Sequence, residues 1–364
     1  MHPAIAVVGC GTVVDQYYRG ALTKLEKRGI ARVVALVDPD SNRAAALARH
    51  FRSARAFSTP GEALTQTAAD LTIVASPPSL HAAHALAAFG AGSHVLCEKP
   101  MAASVDDAER MVAAARAARR VLAVGMTRRM FPYLAEMRSL IAAGALGERI
   151  RFTYRDGGVY GWPVSTDFAF RRAMAGGGVL IDKGTHVLDF LAALFGEPAP
   201  ATYADDGHAE GVETNCRVGI GFPGAAGTVQ LSWSQPLVNG FHVAGSAGEM
   251  TEHPWRLDAV LWRRSGGAWE TRVSAAAWPR DLRANGRRGK PWTYEECVYY
   301  QIVQVLRAAV HGEAVPVGGE EGVMVMRAIQ ACYRMATPLR LSWLTEAEQA
   351  QADAHHWRQQ CAAV

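Results

Sequence analysis

Residues 4–38 constrain the architecture more tightly than any other stretch. An apolar run, AIAVVG (4–9), enters a turn carrying Gly9 and Gly11. A helical pattern follows over 13–29 and stops at Gly29, and a second apolar run, ARVVALVD (31–38), ends in Asp38. Apolar strands joined through a helix lie parallel, because a tight hairpin cannot contain the crossover. Such a crossover is right-handed, and a sheet grown this way is covered by helices on both faces.

The pattern continues. SNRAAALARHF (41–51) reads as a helix with Ser41 as its N-cap, and LTIVAS (71–76), HVLCE (94–98) and VLAVG (121–125) are further strands with helices between them. The expectation is an α/β doubly wound parallel sheet over residues 1–127. The texture changes near residue 148. RIRFTYRDGGVY (149–160), VETNCRVGIGF (212–222), AAGTVQLSWSQ (225–235) and GFHVAGSAGEM (240–250) alternate apolar with polar residues, as strands of a mainly antiparallel sheet do. Helical patterns lie at 186–196, 293–312 and 320–336, which makes 128–340 a second α/β domain. The polar, Gly-rich stretch 280–291 reads as a loop, and 341–364 as a tail with a peripheral helix.

The 364 residues suit two domains of ordinary size. A net charge of +4 with no Lys/Arg stripe excludes a nucleic-acid surface. No run reaches the ~20 apolar residues of a membrane span, and the N-terminus carries no basic leader, so the expected location is cytoplasmic with no membrane partner. Six scattered cysteines form no CxxC pair or zinc spacing, so no metal site is expected.

The glycine turn is a candidate nucleotide site. Gly9 and Gly11 permit a tight turn and close approach of a pyrophosphate, while Thr12 and Val13 open a helix whose free N–H groups and dipole favour an anion. The third position of this motif, ordinarily Gly or Ala, is Val14. Asp38 at the end of the second strand suits the adenosine ribose hydroxyls and repels a 2′-phosphate, which favours NAD over NADP. Ser76, Pro77 and Pro78 leave the same sheet edge, in reach of the cofactor, and His81 and His84 begin the next helix without a third metal ligand.

Glu98-Lys99-Pro100 also leaves the end of a strand on this edge. An acid and a base there are unfavourable unless paired or functional. Further on, Asp182 and His186 are four apart, on one face of a helix, with Asp189 three residues later. They suit an orienting carboxylate and a general acid/base, or equally an N-cap and a half-buried polar residue. Tyr154, Tyr160 and Trp162 suit stacking on a ring or packing on a sheet face. Of Arg128, Arg129 and Arg171, only Arg128 is placed in the cleft.

These pieces together resemble the glucose–fructose oxidoreductase/inositol dehydrogenase/MocA-like (Gfo/Idh/MocA) family. The resemblance rests on the GxG turn, Glu98-Lys99-Pro100, the stretch GMTRRMFP (125–132) and GGGVLIDKGTHVLD (176–189), and covers roughly residues 4–340. It implies a Rossmann domain followed by an α/β domain with a large open sheet that forms a homodimer or homotetramer. It also implies NAD(P)-dependent oxidation or reduction of a carbinol carbon on a sugar, cyclitol or amino-sugar derivative. Carried over by position, Lys99 meets the nicotinamide and the reacting hydroxyl, His186 accepts the proton, and Asp182 binds substrate or orients the site. The cofactor set is then Gly9, Gly11, Thr12, Val13, Asp38, Ser76, Pro77, His81, Glu98 and Lys99, and the substrate set Lys99, Arg128, Tyr160, Trp162, Asp182 and His186. An unperturbed histidine pKa near 6.5 suits proton acceptance near neutrality, and the Lys99 cation favours developing alkoxide charge. Lys183 stands where a small or apolar residue is usual and bears on substrate charge. Two alternatives stay open: a redox-cycling enzyme that retains its NAD, such as an epimerase or glycosidase-like enzyme, and a non-catalytic NAD sensor.

Overall fold

A computed structural model describes residues 2–163, 166–207, 212–275, 292–340 and 345–350. The loop expected at 280–291 lies outside these residues. So does most of the tail, of which 346–350 is helical.

Strands β1 (Ala4–Val8), β2 (Arg32–Val37), β3 (Arg55–Phe57), β4 (Leu71–Val74), β5 (His94–Cys97) and β6 (Leu122–Val124) form one sheet in the order β3-β2-β1-β4-β5-β6. Every pairing in it is parallel. Strand order reverses between β1 and β4, so the C-terminal ends of these two strands flank a crevice. The crossovers are α1 (Arg19–Lys27), α2 (Ser41–Ala48), α3 (Pro60–Gln66), α4 (Pro78–Gly90) and α5 (Val105–Ala118). α2 begins one residue earlier than its sequence suggests. Asp40, not Ser41, is the cap, and its carboxylate accepts the N–H groups of Asn42 and Arg43. The helix after the glycine turn opens as a π turn over Val14–Tyr18. Val14 is fully buried there, so the wider turn accommodates a side chain where the usual motif has almost none.

The second sheet holds β7 (Ile150–Gly157), β8 (Ala199–Asp205), β9 (Asn215–Phe222), β10 (Ala225–Ser232), β11 (Gly240–Ala244), β12 (Gly248–Glu252), β13 (Ala259–Arg264), β14 (Glu270–Val273) and β15 (Ala336–Pro338). Its order is β14-β13-β12-β11-β7-β10-β9-β8-β15. It is antiparallel except for β7 with β10 and β8 with β15. The single strand expected over 240–250 is two, because the turn at Gly245–Ala247 folds back and bonds to the carbonyls of Leu146 and Glu148.

α6 (Pro132–Ala142) precedes β7, and α7 (Arg172–Ala175) and α8 (Thr185–Phe195) lie between β7 and β8. α8 is pressed onto the buried face of the second sheet, where Phe190 and Phe195 meet Phe152 and Phe241. Alternation along β7 buries Phe152 and Tyr154 on this side and leaves Arg151 and Arg155 exposed on the other. α9 (Tyr294–His311) returns to the first sheet. Its Val298, Tyr299, Ile302 and Val305 share a core with Val7, Tyr18 and Leu22. α10 (Gly319–Arg334) packs on α5. This return brings Tyr294 to the mouth of the crevice.

Candidate active site

Two adjoining cavities sit at the C-terminal edge of the parallel sheet. The first, of about 400 Å³, is lined by Gly9, Gly11, Thr12, Val13, Asp38, Ser76 and Pro77 among others. It is suited to a dinucleotide. Gly9 has φ +93°, and a Cβ there would lie 2.5 Å from the Ala75 carbonyl oxygen, so only glycine fits the turn. A Cβ on Gly11 would meet no atom within 4 Å; it would project into open space beside the helix start. Among the described residues no protein acceptor takes the N–H groups of Gly11 and Thr12. Free donors at an open helix start are what a pyrophosphate requires. Asp38 is buried and its Oδ2 accepts the Cys10 N–H at 2.9 Å, while Oδ1 accepts that of Asp40 at 2.9 Å.

His81 reaches this cleft only through other residues. It is buried, with Nδ1 3.0 Å from the Pro100 carbonyl and Nε2 2.6 Å from that of Ser76. Burial outweighs both carbonyls and lowers its pKa to about 4. His81 therefore clamps the Ser76 loop to the Lys99–Pro100 exit. His84 binds the Ser76 hydroxyl at 2.9 Å. Among the described residues no group of three or more His, Cys, Asp or Glu side chains could hold a metal.

The second cavity, about 440 Å³, is lined by Glu98, Lys99, Arg128, Tyr160, Trp162, Asp182, Lys183 and His186, with Trp233 and Tyr294. This volume is ordinary for a small-molecule site. Lys99 extends from the end of β5, and its Nζ donates to Asp182 Oδ1 at 2.7 Å and to the Asp182 carbonyl at 3.2 Å. Asp182, which the resemblance implies binds substrate or orients the site, is engaged by Lys99, and residues Leu180–Gly184 that carry it form a π turn ahead of the α-helix bearing His186. Asp189 does not orient His186: it is fully buried and accepts two hydrogen bonds from Arg129, at 2.8 and 2.9 Å.

His186 is left as a neutral base. Its Nδ1 is sealed from solvent without a partner, leaving Nε2 as the ring nitrogen available to the cavity it lines. Burial, then the cations of Lys99 and Arg128, hold its pKa well below the ordinary imidazole value. The proton acceptor expected to titrate near neutrality is thus already deprotonated across the neutral range.

The remaining cations are also paired. Arg128 donates to the Tyr154 hydroxyl and, at 3.1 Å, to Asp156, and Lys183 reaches the other Asp156 oxygen at 2.8 Å. Against the cost of burial, these two cations hold the Asp156 carboxyl below its usual range. Lys183 therefore shares its counter-charge with Arg128. Tyr160 stacks edge-on against Trp233, with centroids 4.9 Å apart, while Trp162 stacks on Tyr17 of the first domain at 5.7 Å. Tyr154 is a packing residue of the sheet face. Arg171 makes an exposed pair with Asp167.

Two supporting residues escaped sequence reading. Tyr18 donates to Glu98 Oε1 at 2.5 Å, and the other Glu98 oxygen accepts the Lys99 N–H at 3.0 Å. Glu98 so holds the backbone of Lys99, and its pKa is raised by burial. Glu213 accepts the N–H groups of Gly178 and Leu180, both at 3.0 Å, and the Tyr333 hydroxyl at 2.7 Å. It satisfies the free donors at the start of the segment that carries Asp182 and His186. The glycines before that segment are packing devices, since a Cβ on Gly178 would lie 2.0 Å from the Glu213 carbonyl oxygen. No periodicity marks Tyr18 or Glu213, and only their burial as polar residues identifies them.

Two family models match the chain: an oxidoreductase family with an NAD-binding Rossmann fold over residues 4–126, and a GFO/IDH/MocA C-terminal domain over 134–251. The chain is 34% identical to D-glucoside 3-dehydrogenase of Escherichia coli over 54% of each protein, so it spans about half the length of that relative. It is 30% identical to 1,5-anhydro-D-fructose reductase of Ensifer adhaerens over 67% of this chain and 74% of that one. Among solved structures, the aldose-aldose oxidoreductase of Caulobacter crescentus, complexed with glycerol, superposes with a TM-score of 0.77 at 26% identity, covering 92% of this chain and 97% of that one. With the strand order, the glycine turn and the EKP exit all in place, the chain belongs to the Gfo/Idh/MocA family of NAD-binding oxidoreductases.

Proposed function

We propose that the chain is an NAD-dependent oxidoreductase acting on a secondary alcohol or ketone carbon of a sugar, cyclitol or amino-sugar derivative. The bound nicotinamide would supply the two-electron acceptor or donor for hydride transfer. Lys99 positions the reacting hydroxyl and favours negative charge on its oxygen. His186 Nε2 takes the hydroxyl proton, and its neutral state keeps it ready to do so. Asp182 holds the Lys99 ammonium and offers its remaining lone pairs to a neighbouring substrate hydroxyl. Tyr160 and Trp162 give an apolar wall for a ring, and Arg128 lines the cavity floor.

The observation that carries this reading is the convergence of Lys99, Asp182 and His186 in one cavity adjoining the dinucleotide cleft. Arg128 and Lys183 share the single Asp156 carboxylate. Lys99→Met and His186→Ala are expected to lower turnover at least a hundredfold on a panel of sugars and cyclitols, followed by nicotinamide absorbance, while NADH still binds. Near-normal turnover in either variant would defeat the assignment.

A second reading, in which NAD is retained through a redox cycle, is favoured by one feature. The segment carrying Trp162 and Pro163 crosses between the cavities, with Trp162 stacked on Tyr17 and the Pro163 carbonyl accepting the Thr12 hydroxyl at 3.1 Å. Product formation without net NADH would select that reading. A homodimer or homotetramer through the outer face of the second sheet, which exposes Arg151, Arg155, Arg217 and Thr228, belongs to the same proposal, with light scattering as its test. Among the described residues no helix is long and apolar enough to cross a membrane. A cytoplasmic location accords with that reading.

A further inference from the structure

Cations and carboxyls that line the second cavity do not match in number. Lys99, Arg128 and Lys183 line it on one side of that balance, Glu98 and Asp182 on the other. Asp182 is taken by Lys99. Both Glu98 oxygens are taken, by the Tyr18 hydroxyl and the Lys99 N–H. Arg128 and Lys183 are left with Asp156, one carboxylate for two cations. Asp156 does not itself line the cavity, whereas both of its cations do. Glu252, a further carboxyl that acts on Arg128, does not line it either. It accepts the Tyr133 hydroxyl at 2.8 Å, and burial raises its pKa, which disfavours its charged form.

The two cations differ in what they still offer. Arg128 donates from one Nη to the Tyr154 hydroxyl and from the other to Asp156, which fixes it in place. Lys183 Nζ gives one N–H to Asp156 at 2.8 Å and a second to the Ser232 carbonyl at 3.3 Å. An ammonium has three. Among the described residues the third meets no acceptor, and the side chain is 24% exposed. A neutral substrate closing over this group would bury the surplus charge unmatched, which is unfavourable. A carboxylate supplies both the missing charge and an acceptor for the third N–H. The surplus is a single charge, so it suits a monoanion better than a phosphate monoester, which carries about −1.5 to −2 near neutrality.

We propose that Lys183 is a specificity-determining residue that receives a carboxylate on the substrate, so that the site acts on a sugar or cyclitol acid such as a uronate. Lys183 follows Asp182 in the chain, and Asp182 holds Lys99. One small molecule can therefore place its reacting hydroxyl at Lys99 and its carboxylate at Lys183. Arg128 stays on Asp156 and Tyr154 and adds its charge through space. The inference deepens the reading of this cavity as the substrate site and rests on it.

The test uses the full chain with NAD and pairs of substrates that differ in charge: the gluco, galacto and manno uronates, each against its uronamide. Rates are followed by nicotinamide absorbance. The wild-type protein is expected to favour at least one uronate over its uronamide by tenfold or more in kcat/KM, chiefly through KM. Lys183→Met should remove most of that ratio by raising KM for the uronate, and Lys183→Arg should keep part of it. Damage to the fold would lower both members of a pair together, so the ratio separates the two causes, and the wild-type ratio needs no variant. A wild-type protein that turns over the uronamides or neutral hexoses as well as the uronates would overturn the proposal. So would a better rate with a hexose 6-phosphate than with every uronate, or a uronate preference that survives Lys183→Met unchanged. Turnover of no sugar or cyclitol, charged or neutral, would instead overturn the reading of the cavity on which the proposal rests.

Discussion

Arg129→Met isolates the ion pair that anchors the helix bearing His186. The Asp189 side chain is 0% exposed and that of Arg129 15%, and the two are joined by two parallel hydrogen bonds. Removing the arginine leaves a carboxylate sealed in the protein with no counter-charge. Breaking a buried pair in this way costs about 3–5 kcal/mol. The cost has a defined pH dependence. Burial already raises the Asp189 pKa above its ordinary value, and Arg129 is what opposes the rise. Without Arg129 the folded-state pKa climbs further above the unfolded value of about 3.9. A carboxyl with a raised folded pKa is least costly below its unfolded pKa, and stability is lost as pH rises through the folded one. The variant should therefore match the wild type most closely near pH 4 and fall furthest behind above neutrality. Urea unfolding at several pH values, read by tryptophan fluorescence and circular dichroism, measures this. Arg129→Met/Asp189→Leu, which removes both charges, should recover most of the loss. A loss below about 1 kcal/mol, or one independent of pH, would refute the reasoning. Because Asp189 lies one turn beyond His186 on α8, the single variant should also lose turnover.

Glu213 carries a second pH-dependent prediction. Burial first, then Asp205, raises its pKa to about 7, so its ionisation between about pH 4.5 and pH 7 costs the fold on the order of 3 kcal/mol. Glu213→Gln removes that slope, so stability of the variant relative to the wild type should rise across this interval in chemical denaturation; a constant difference would count against the shift. For His186 the depressed pKa means that the oxidative kcat/KM should not fall between pH 7 and pH 6 through this group. Lys99→Met removes one of the cations responsible, and the His186 titration followed by NMR should move upward toward the ordinary imidazole range. An unmoved titration would show that Lys99 has no part in setting it.

Legibility from sequence differed sharply between the two halves of the site. The dinucleotide cleft is built from consecutive residues: a strand, a turn and a helix start within one βαβ unit, where glycine at position 9 is demanded by the turn itself. That arrangement is local, and local patterns of hydrophobicity and turn chemistry declare it. Glu98-Lys99-Pro100 is local in the same sense, since a strand delivers its next residue to the sheet edge. The partner of Asp182 was not legible, because a π turn and an α turn have the same composition. Spacing of four residues implies a shared face only in the second. The partner of Asp189 was not legible either, because nothing near it in sequence announces a buried arginine.

The chain's own order of apolar runs and breakers therefore determined the parallel sheet, the glycine turn at its edge, the lysine at the end of its fifth strand and the alternating strands that follow. These depend on interactions within a few residues and on burial of one face. Tertiary structure alone decided that Lys99 meets Asp182 across 83 residues, that Arg128 and Lys183 share the Asp156 carboxylate, and that Glu213 secures the start of the helical segment bearing His186. Such contacts join elements far apart in the chain, where electrostatics and desolvation act through space and leave no period in the sequence. They set which groups in the cavity are charged, and so what the site can bind.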